Sequence, residues 1–154
     1  QIINYDDSLI LILDGIRDPG NLGTIIRTAK WFGVNTIICS EDCVDAFSPK
    51  VVQSTMGALF HVDIIYKDIQ TFITGLKAKS FHVHGAAMEG TSIYKIEKPS
   101  KTALIIVSES HGIREDVLKK CDSLVTIPNL EEEQKVESLN AAIATSIILS
   151  ELTR

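Results

Sequence analysis

Leu9-Ile10-Leu11-Ile12-Leu13-Asp14, the loop Gly15-Ile16-Arg17-Asp18-Pro19-Gly20-Asn21, the run from Leu22 to Gly33, and Thr36-Ile37-Ile38-Cys39 together decide the fold. Residues 9–13 are an unbroken apolar run of strand length, the pattern of a strand buried on both faces. Asp18-Pro19-Gly20 is a turn-forming cluster. Asn21 reads as a helix N-cap. Leu22, Ile25, Ile26, Ala29 and Phe32 then recur along one side of a helix, and Gly33 stands where a C-terminal cap belongs. Residues 36–39 are a second apolar strand. Strand, loop, helix, strand is a βαβ unit.

The alternation continues outward from this unit. Residues 49–56 read as a short helix, 62–66 as a strand, 69–79 as a helix and 81–86 as a strand. Residues 103–107 are a buried strand, 114–121 a helix and 124–127 a strand closed by Pro128. A long, largely apolar helix over 138–152 ends the chain, and polar loops fall at 95–101 and 131–135. Strands alternating with helices predict an α/β protein, a parallel sheet covered on both faces as an α/β/α sandwich. A chain of 154 residues with 45% hydrophobic content suits one such domain. The polar residues 1–8 begin with Gln1 and read as the end of a linker from an upstream domain, with the domain proper over 9–154.

No apolar stretch approaches the roughly 20 residues of a membrane span, and residues 1–30 lack the pattern of a signal peptide. Three cysteines, Cys39, Cys43 and Cys121, leave an odd count, which fits a reducing cytoplasm better than a disulfide scaffold. No metal is expected. Cys39 and Cys43 lack a second ligand pair, and His82 and His84, on the same face of one strand, lack a third. The net charge of −5 argues against a uniformly basic, polyanion-binding surface. Contact with nucleic acid therefore requires a local patch.

The first loop matches neither common phosphate cradle. Gly15, Gly20 and Gly23 have the wrong spacing for a dinucleotide fingerprint, and Asn21-Leu22 stand where a P-loop needs Lys and Ser or Thr. Polar residues concentrate instead in three segments, 14–27, 108–112 and 128–140, each following a strand. Ligands of parallel α/β sheets bind beyond the carboxyl ends of strands, so these segments are expected to converge. Arg27 lies in a helix dominated by Leu, Ile and Ala and needs a polar destination: a ligand, solvent, or an ion pair with Asp14 or Asp18. Ser138 and Asn140 suit either a ligand site or simple capping of the last helix. Glu109 suits a site carboxylate or a charge at a helix start.

Taken together, these segments resemble the SpoU–TrmH branch of the knotted SPOUT methyltransferases. Asn21, Gly23 and Arg27 match the Asn-x-Gly-x-x-x-Arg core of the first motif. Ser54-Thr55-Met56-Gly57-Ala58 is similar to the family's Ser-Met-Gly-Ala turn. The segment 103–113 resembles the second motif, with Glu109 and Gly112 in register. Ile127-Pro128 and Ser138-Leu139-Asn140 resemble the third. The resemblance implies a C-terminal deep trefoil knot, a homodimer with each site near the dimer interface, and S-adenosylmethionine as cofactor. It implies RNA, transfer or ribosomal, as substrate, methylated on a ribose 2′-hydroxyl. It assigns the catalytic positions to Arg27, Asn21, Glu109, Ser138 and Asn140. It assigns the cofactor to Val107, Ser108, Gly112, Ile127, Leu130, Ser138 and Leu139. His111, in the second-motif loop, is a candidate RNA contact.

Two departures modify that expectation. Val107 and Ser110 replace the glycines flanking the second motif, and glycine is what lets backbone approach a ligand closely. Val107 is thus expected to crowd the cofactor. In the third motif Asn129 replaces Met, and the loop 130–135 is about three residues longer. The alternatives are a non-catalytic RNA- or cofactor-binding relative with an altered pocket, or a methyltransferase acting on a base.

Overall fold

The computed structural model describes residues 3–110, 112–133 and 135–154. Its sheet comprises β1 (Leu9–Asp14), β2 (Thr36–Cys39), β3 (Asp63–Tyr66), β4 (His82–Ser92), β5 (Thr102–Val107) and β6 (Ser123–Thr126), in the order β3-β2-β1-β5-β4-β6. Each neighbouring pair runs parallel. The helices are α1 (Pro19–Trp31), α2 (Pro49–Ser54), α3 (Ile69–Ala78), α4 (Glu115–Leu118) and α5 (Ala141–Leu152), with a 3-10 turn at Ala58–His61.

The unbroken apolar strands are explained by cover on both faces. Leu11 and Leu13 of β1 point into a cluster with Leu22, Ile25 and Ile26 of α1, Val51 of α2 and Ile148 and Leu149 of α5. Ile10 and Ile12 point the other way, into a cluster with Phe72, Ile73 and Leu76 of α3 and Val117 of α4. This is the three-layer sandwich expected from the alternation. Each of these side chains contributes about 1.5–3 kcal/mol by leaving water. Residues 3–8 are tied to the sheet as well. Ile3 and Tyr5 pack on the second cluster, Thr102 N–H donates to Ser8 O at 2.9 Å and Thr36 Oγ1 donates to Asp7 Oδ2 at 2.6 Å.

The strand order reverses between β1 and β5, where Asp14 pairs with Val107. Such a switch point opens a crevice at the carboxyl ends of the strands. β6 lies at the far edge of the sheet, yet α5 packs against α1 and β5. The segment 127–140 therefore returns from the sheet edge to its middle before α5 begins.

Several boundaries differ from the sequence expectation, each for a local reason. Asn21 is not the cap of α1. Asp18 is, accepting a hydrogen bond from Asn21 N–H at 2.8 Å, and Pro19 occupies the first helical turn, where its missing N–H costs nothing. The last helix begins at Ala141 rather than Ser138, because Asn140 takes the cap and accepts from Ala142 N–H at 2.9 Å and Ile143 N–H at 3.2 Å. β4 runs on past Ala86 to Ser92 through an irregularity in its pairing with β6. α4 is a single turn rather than the whole of 114–121.

Gly23 explains one family position physically. A Cβ there would lie 1.7 Å from Ser54 Oγ and 2.7 Å from Ser54 Cβ. Only glycine lets α1 and α2 approach this closely, which links the first motif to the Ser54-Thr55-Met56-Gly57 turn.

Candidate active site

Three segments distant in sequence meet at the N-terminus of α5. Asn140 Oδ1 is committed to two backbone N–H groups of the helix, so its amide nitrogen must face outward. That nitrogen donates to Asn21 Oδ1 at 2.9 Å. Glu109, from the loop after β5, accepts from Ala141 N–H through Oε1 at 2.9 Å. Orphan donors of α5 are thus satisfied by one residue from its own segment and one from the β5 loop, with the Glu109 charge placed favourably at the positive end of the helix. The β1 loop is locked in turn, since Asn21 N–H is held by Asp18. Ser138 is half-buried two residues before the cap and makes no side-chain hydrogen bond among the described residues.

Val107 ends β5 with its side chain packed against the α3–α4 cluster. It is only partly buried there and also lines the cavity at the switch point described below. Ser108 Oγ lies 3.0 Å from Ser110 Oγ, and Gly112 adopts φ +64 with open space about its Cα. Ile127 packs partly against the first cluster, whereas Leu130 is 93% exposed and Leu139 also faces solvent. His111 lies outside the described residues.

No hydrogen bond or ion pair among the described residues ties Arg27 to this cluster. It is exposed on α1, six residues beyond Asn21, which is about 9 Å along the axis and on a different face. Neither expected ion pair forms. Asp14 pairs with Arg114 at 3.5 Å, and Asp18 is the α1 cap. Arg27 instead lines a cavity of about 470 Å³ with Lys30, Trp31, Met56 and His61.

A second cavity, about 370 Å³, opens at the switch point. Asp14, Arg17, Asp42, Lys67, Ser108 and Arg114 are among its lining residues, and most of them were not singled out from sequence. Their common signal is position, since Asp14, Ser40 to Asp42 and Lys67 all follow strand ends. Ser40 Oγ donates to Asp42 Oδ1 at 2.5 Å and to the same loop Arg17 brings a guanidinium 2.9 Å from Asp42 Oδ2. The Ser40 hydroxyl first, and then Arg17, hold the Asp42 carboxyl below the usual range. Gly15 N–H donates to Ser40 Oγ and Ile16 N–H to Cys43 Sγ, so the loop after β2 pins the loop after β1.

His82 and His84 do share a face, with ring centroids 4.5 Å apart. Ser123 Oγ bridges them, 2.5 Å from His82 Nε2 and 3.1 Å from His84 Nδ1. They lie near the start of β4, away from the switch point.

The family model for the SpoU rRNA methylase family matches residues 8–150. The chain belongs to the SpoU rRNA methylase family. This SpoU domain is 33% identical, over 144 residues, to the 23S rRNA (guanosine(2553)-2′-O)-methyltransferase RlmP of Bacillus subtilis (strain 168); the match covers 93% of the chain and 57% of the relative. It superposes with a TM-score of 0.88 on the structure of a Porphyromonas gingivalis protein assigned to the TrmH family, at 40% identity over 95% of this chain and 59% of the other. An AdoMet-bound rRNA methyltransferase from Sinorhizobium meliloti gives 0.86 at 33% identity, over 94% of this chain and 55% of the other. The SpoU domain thus spans little more than half the length of these relatives.

Proposed function

We propose that this domain methylates a ribose 2′-hydroxyl of transfer or ribosomal RNA, with S-adenosylmethionine as methyl donor. The observation that carries the reading is the closure of Asn21, Glu109 and Asn140 around the first turn of α5. Family membership and the AdoMet-bound relative support it.

The residues fit such a cofactor. Three irregular segments, with side chains of Val107, Ile127, Leu130, Ser138 and Leu139 and backbone at Ser108 and Gly112, offer apolar surface for an adenine ring and backbone groups for polar edges. When bound, S-adenosylmethionine supplies an electrophilic methyl group on a sulfonium. The chain supplies alignment. Asn140 and Glu109 hold the start of α5, and Ser138 contacts cofactor or ribose from the segment leading into it. Asn21 carries the order into the β1 loop.

Arg27 is the phosphate clamp and stabiliser of charge developing on the ribose oxygen. Guanidinium stays protonated in proteins, which argues against a role as general base. Its place about 9 Å along α1 from Asn21 and on a different face supports a homodimer in which Arg27 of one protomer completes the site of the other. The return of 127–140 from the sheet edge supports a trefoil knot, an arrangement otherwise nearly absent from proteins.

The second reading, a non-catalytic relative, draws on Ser110 and the lengthened loop. Calorimetric titration with S-adenosylmethionine and S-adenosylhomocysteine separates the two. One-to-one binding per protomer is the expected outcome. A folded protein that binds neither at millimolar concentration contradicts the proposal.

A further inference from the structure

The cavity beside Arg27 differs in character from the cavity at the switch point. The latter mixes the carboxylates of Asp14, Glu41, Asp42 and Asp68 with the cations Arg17, Lys67 and Arg114. The former is lined by the cations Arg27 and Lys30 and by Trp31, Met56 and His61, with no carboxylate among its described lining residues. In a chain of net charge −5, such a patch concentrates positive charge where a polyanion would need it.

Its apolar part is presented outward. Trp31, the one tryptophan of the sequence, is 84% exposed at the end of α1, and Met56 is 73% exposed. Met56 adopts φ +53 and is followed by Gly57 at φ +86. Two consecutive left-handed residues are costly for methionine, and here they hold a flexible thioether at the rim of the cavity rather than in the core. Lys30 is anchored by donation from Nζ to Asn35 Oδ1 at 2.9 Å, a neutral partner that leaves its charge uncompensated. Arg27 makes no hydrogen bond or ion pair among the described residues.

We infer that this cavity is a stacking subsite for an unpaired RNA nucleotide next to the one being methylated, with Trp31 as the ring platform and Lys30 on the adjoining phosphate. The inference rests on the methyltransferase reading for the word "next", since Arg27 joins the cavity to the reacting nucleotide. Every base has a π-face, so the platform selects single-stranded geometry rather than sequence. The substrate is accordingly a loop, bulge or unpaired strand, not a continuous duplex.

The single tryptophan makes the test direct. Dimeric wild-type protein is titrated with a short single-stranded oligoribonucleotide and with the same sequence in duplex form. Trp31 emission is followed beside the anisotropy of labelled RNA. The subsite predicts quenching by the single strand that saturates with binding, and little by the duplex. Trp31→Ala is expected to weaken single-strand binding about tenfold, within the range of lost base–aromatic stacks, with S-adenosylmethionine affinity and sedimentation unchanged. RNA binding without quenching, or equal affinity in Trp31→Ala, overturns the subsite while leaving the enzyme reading intact. Dissociation of the dimer by Trp31→Ala, with emission that responds to protein dilution, also overturns it and assigns the patch to the interface between protomers. Failure of wild-type protein to bind S-adenosylmethionine is the separate signature of a wrong enzyme reading.

Discussion

Asn140 and Asn21, 119 positions apart in sequence, share a hydrogen bond of 2.9 Å from Nδ2 to Oδ1. Its orientation is forced, because Asn140 Oδ1 is already occupied by Ala142 and Ile143 N–H. One side chain therefore caps a helix and joins the first motif to the third. The two duties are separable. Asn140→Ser keeps a good cap and loses the reach to Asn21, so stability should stay within about 0.5 kcal/mol while methyl transfer falls sharply. Asn140→Ala loses both and should cost about 1 kcal/mol, or roughly 2–4 °C in melting temperature for a domain this size. Thermal unfolding set beside turnover reads the difference; equal turnover in Asn140→Ser and wild type would remove the catalytic meaning of the bond.

Glu109 acts on α5 through one oxygen at Ala141 N–H. Glu109→Gln retains an acceptor and gives up the charge at the helix start, an effect of about 0.3–1 kcal/mol. Glu109→Ala gives up both and should also weaken S-adenosylmethionine binding, by about tenfold for a loss near 1.4 kcal/mol. If the two variants bind cofactor equally, Glu109 is not the strut described.

Gly23→Ala drives a methyl group into Ser54, at 1.7 Å from Oγ and 2.7 Å from Cβ. Overpacking of this kind costs about 1–3 kcal/mol. Ser54→Gly in the same chain should recover part of the loss, measurable by urea unfolding. No recovery would mean that the backbone carbonyl of Val51, 3.3 Å away, sets the limit instead.

His84 is 2% exposed and its Nε2 is buried without a hydrogen-bond partner among the described residues. Burial first, and the neighbouring His82 second, push its pKa down from 6.5 to about 4. The folded state thus binds the proton less readily than the unfolded state does. Its contribution is fully present above pH 6.5 and is lost as pH falls through that value toward 4, by about 3 kcal/mol in all. His84→Leu should flatten the stability profile between pH 6.5 and 4 relative to wild type. An unchanged slope in chemical unfolding across that window would place the acid sensitivity elsewhere.

Much of this was legible in the amino-acid chain, and the remainder has identifiable causes. The 9–39 stretch declared its βαβ unit because both strands are apolar throughout and the helix keeps its period. Asp18 was missed as the cap although Pro19 at the next position carried the signal. The start of α5 was placed three residues early, since Ser138 is as good a capping residue as Asn140 and only the folded chain shows which one meets N–H groups. Convergence of the three polar segments followed from strand ends. The placing of Arg27 beside Trp31 and Met56 did not, because motif matching aligns positions and is silent on helix faces. The crossing of 127–140 back over the sheet leaves no composition or period to read.

The central claim is methyl transfer to a ribose oxygen with Arg27 required. The most direct measurement is single-turnover transfer of radiolabelled methyl from S-adenosylmethionine into RNA, followed by alkaline digestion. A methylated 2′-oxygen protects the adjoining phosphodiester, so the account predicts label in alkali-resistant dinucleotides. It also predicts loss of that label by at least about 100-fold in Arg27→Ala, a barrier change of about 2.7 kcal/mol, with an unchanged unfolding curve. Label confined to mononucleotides, or near wild-type transfer by a folded Arg27→Ala, would contradict it.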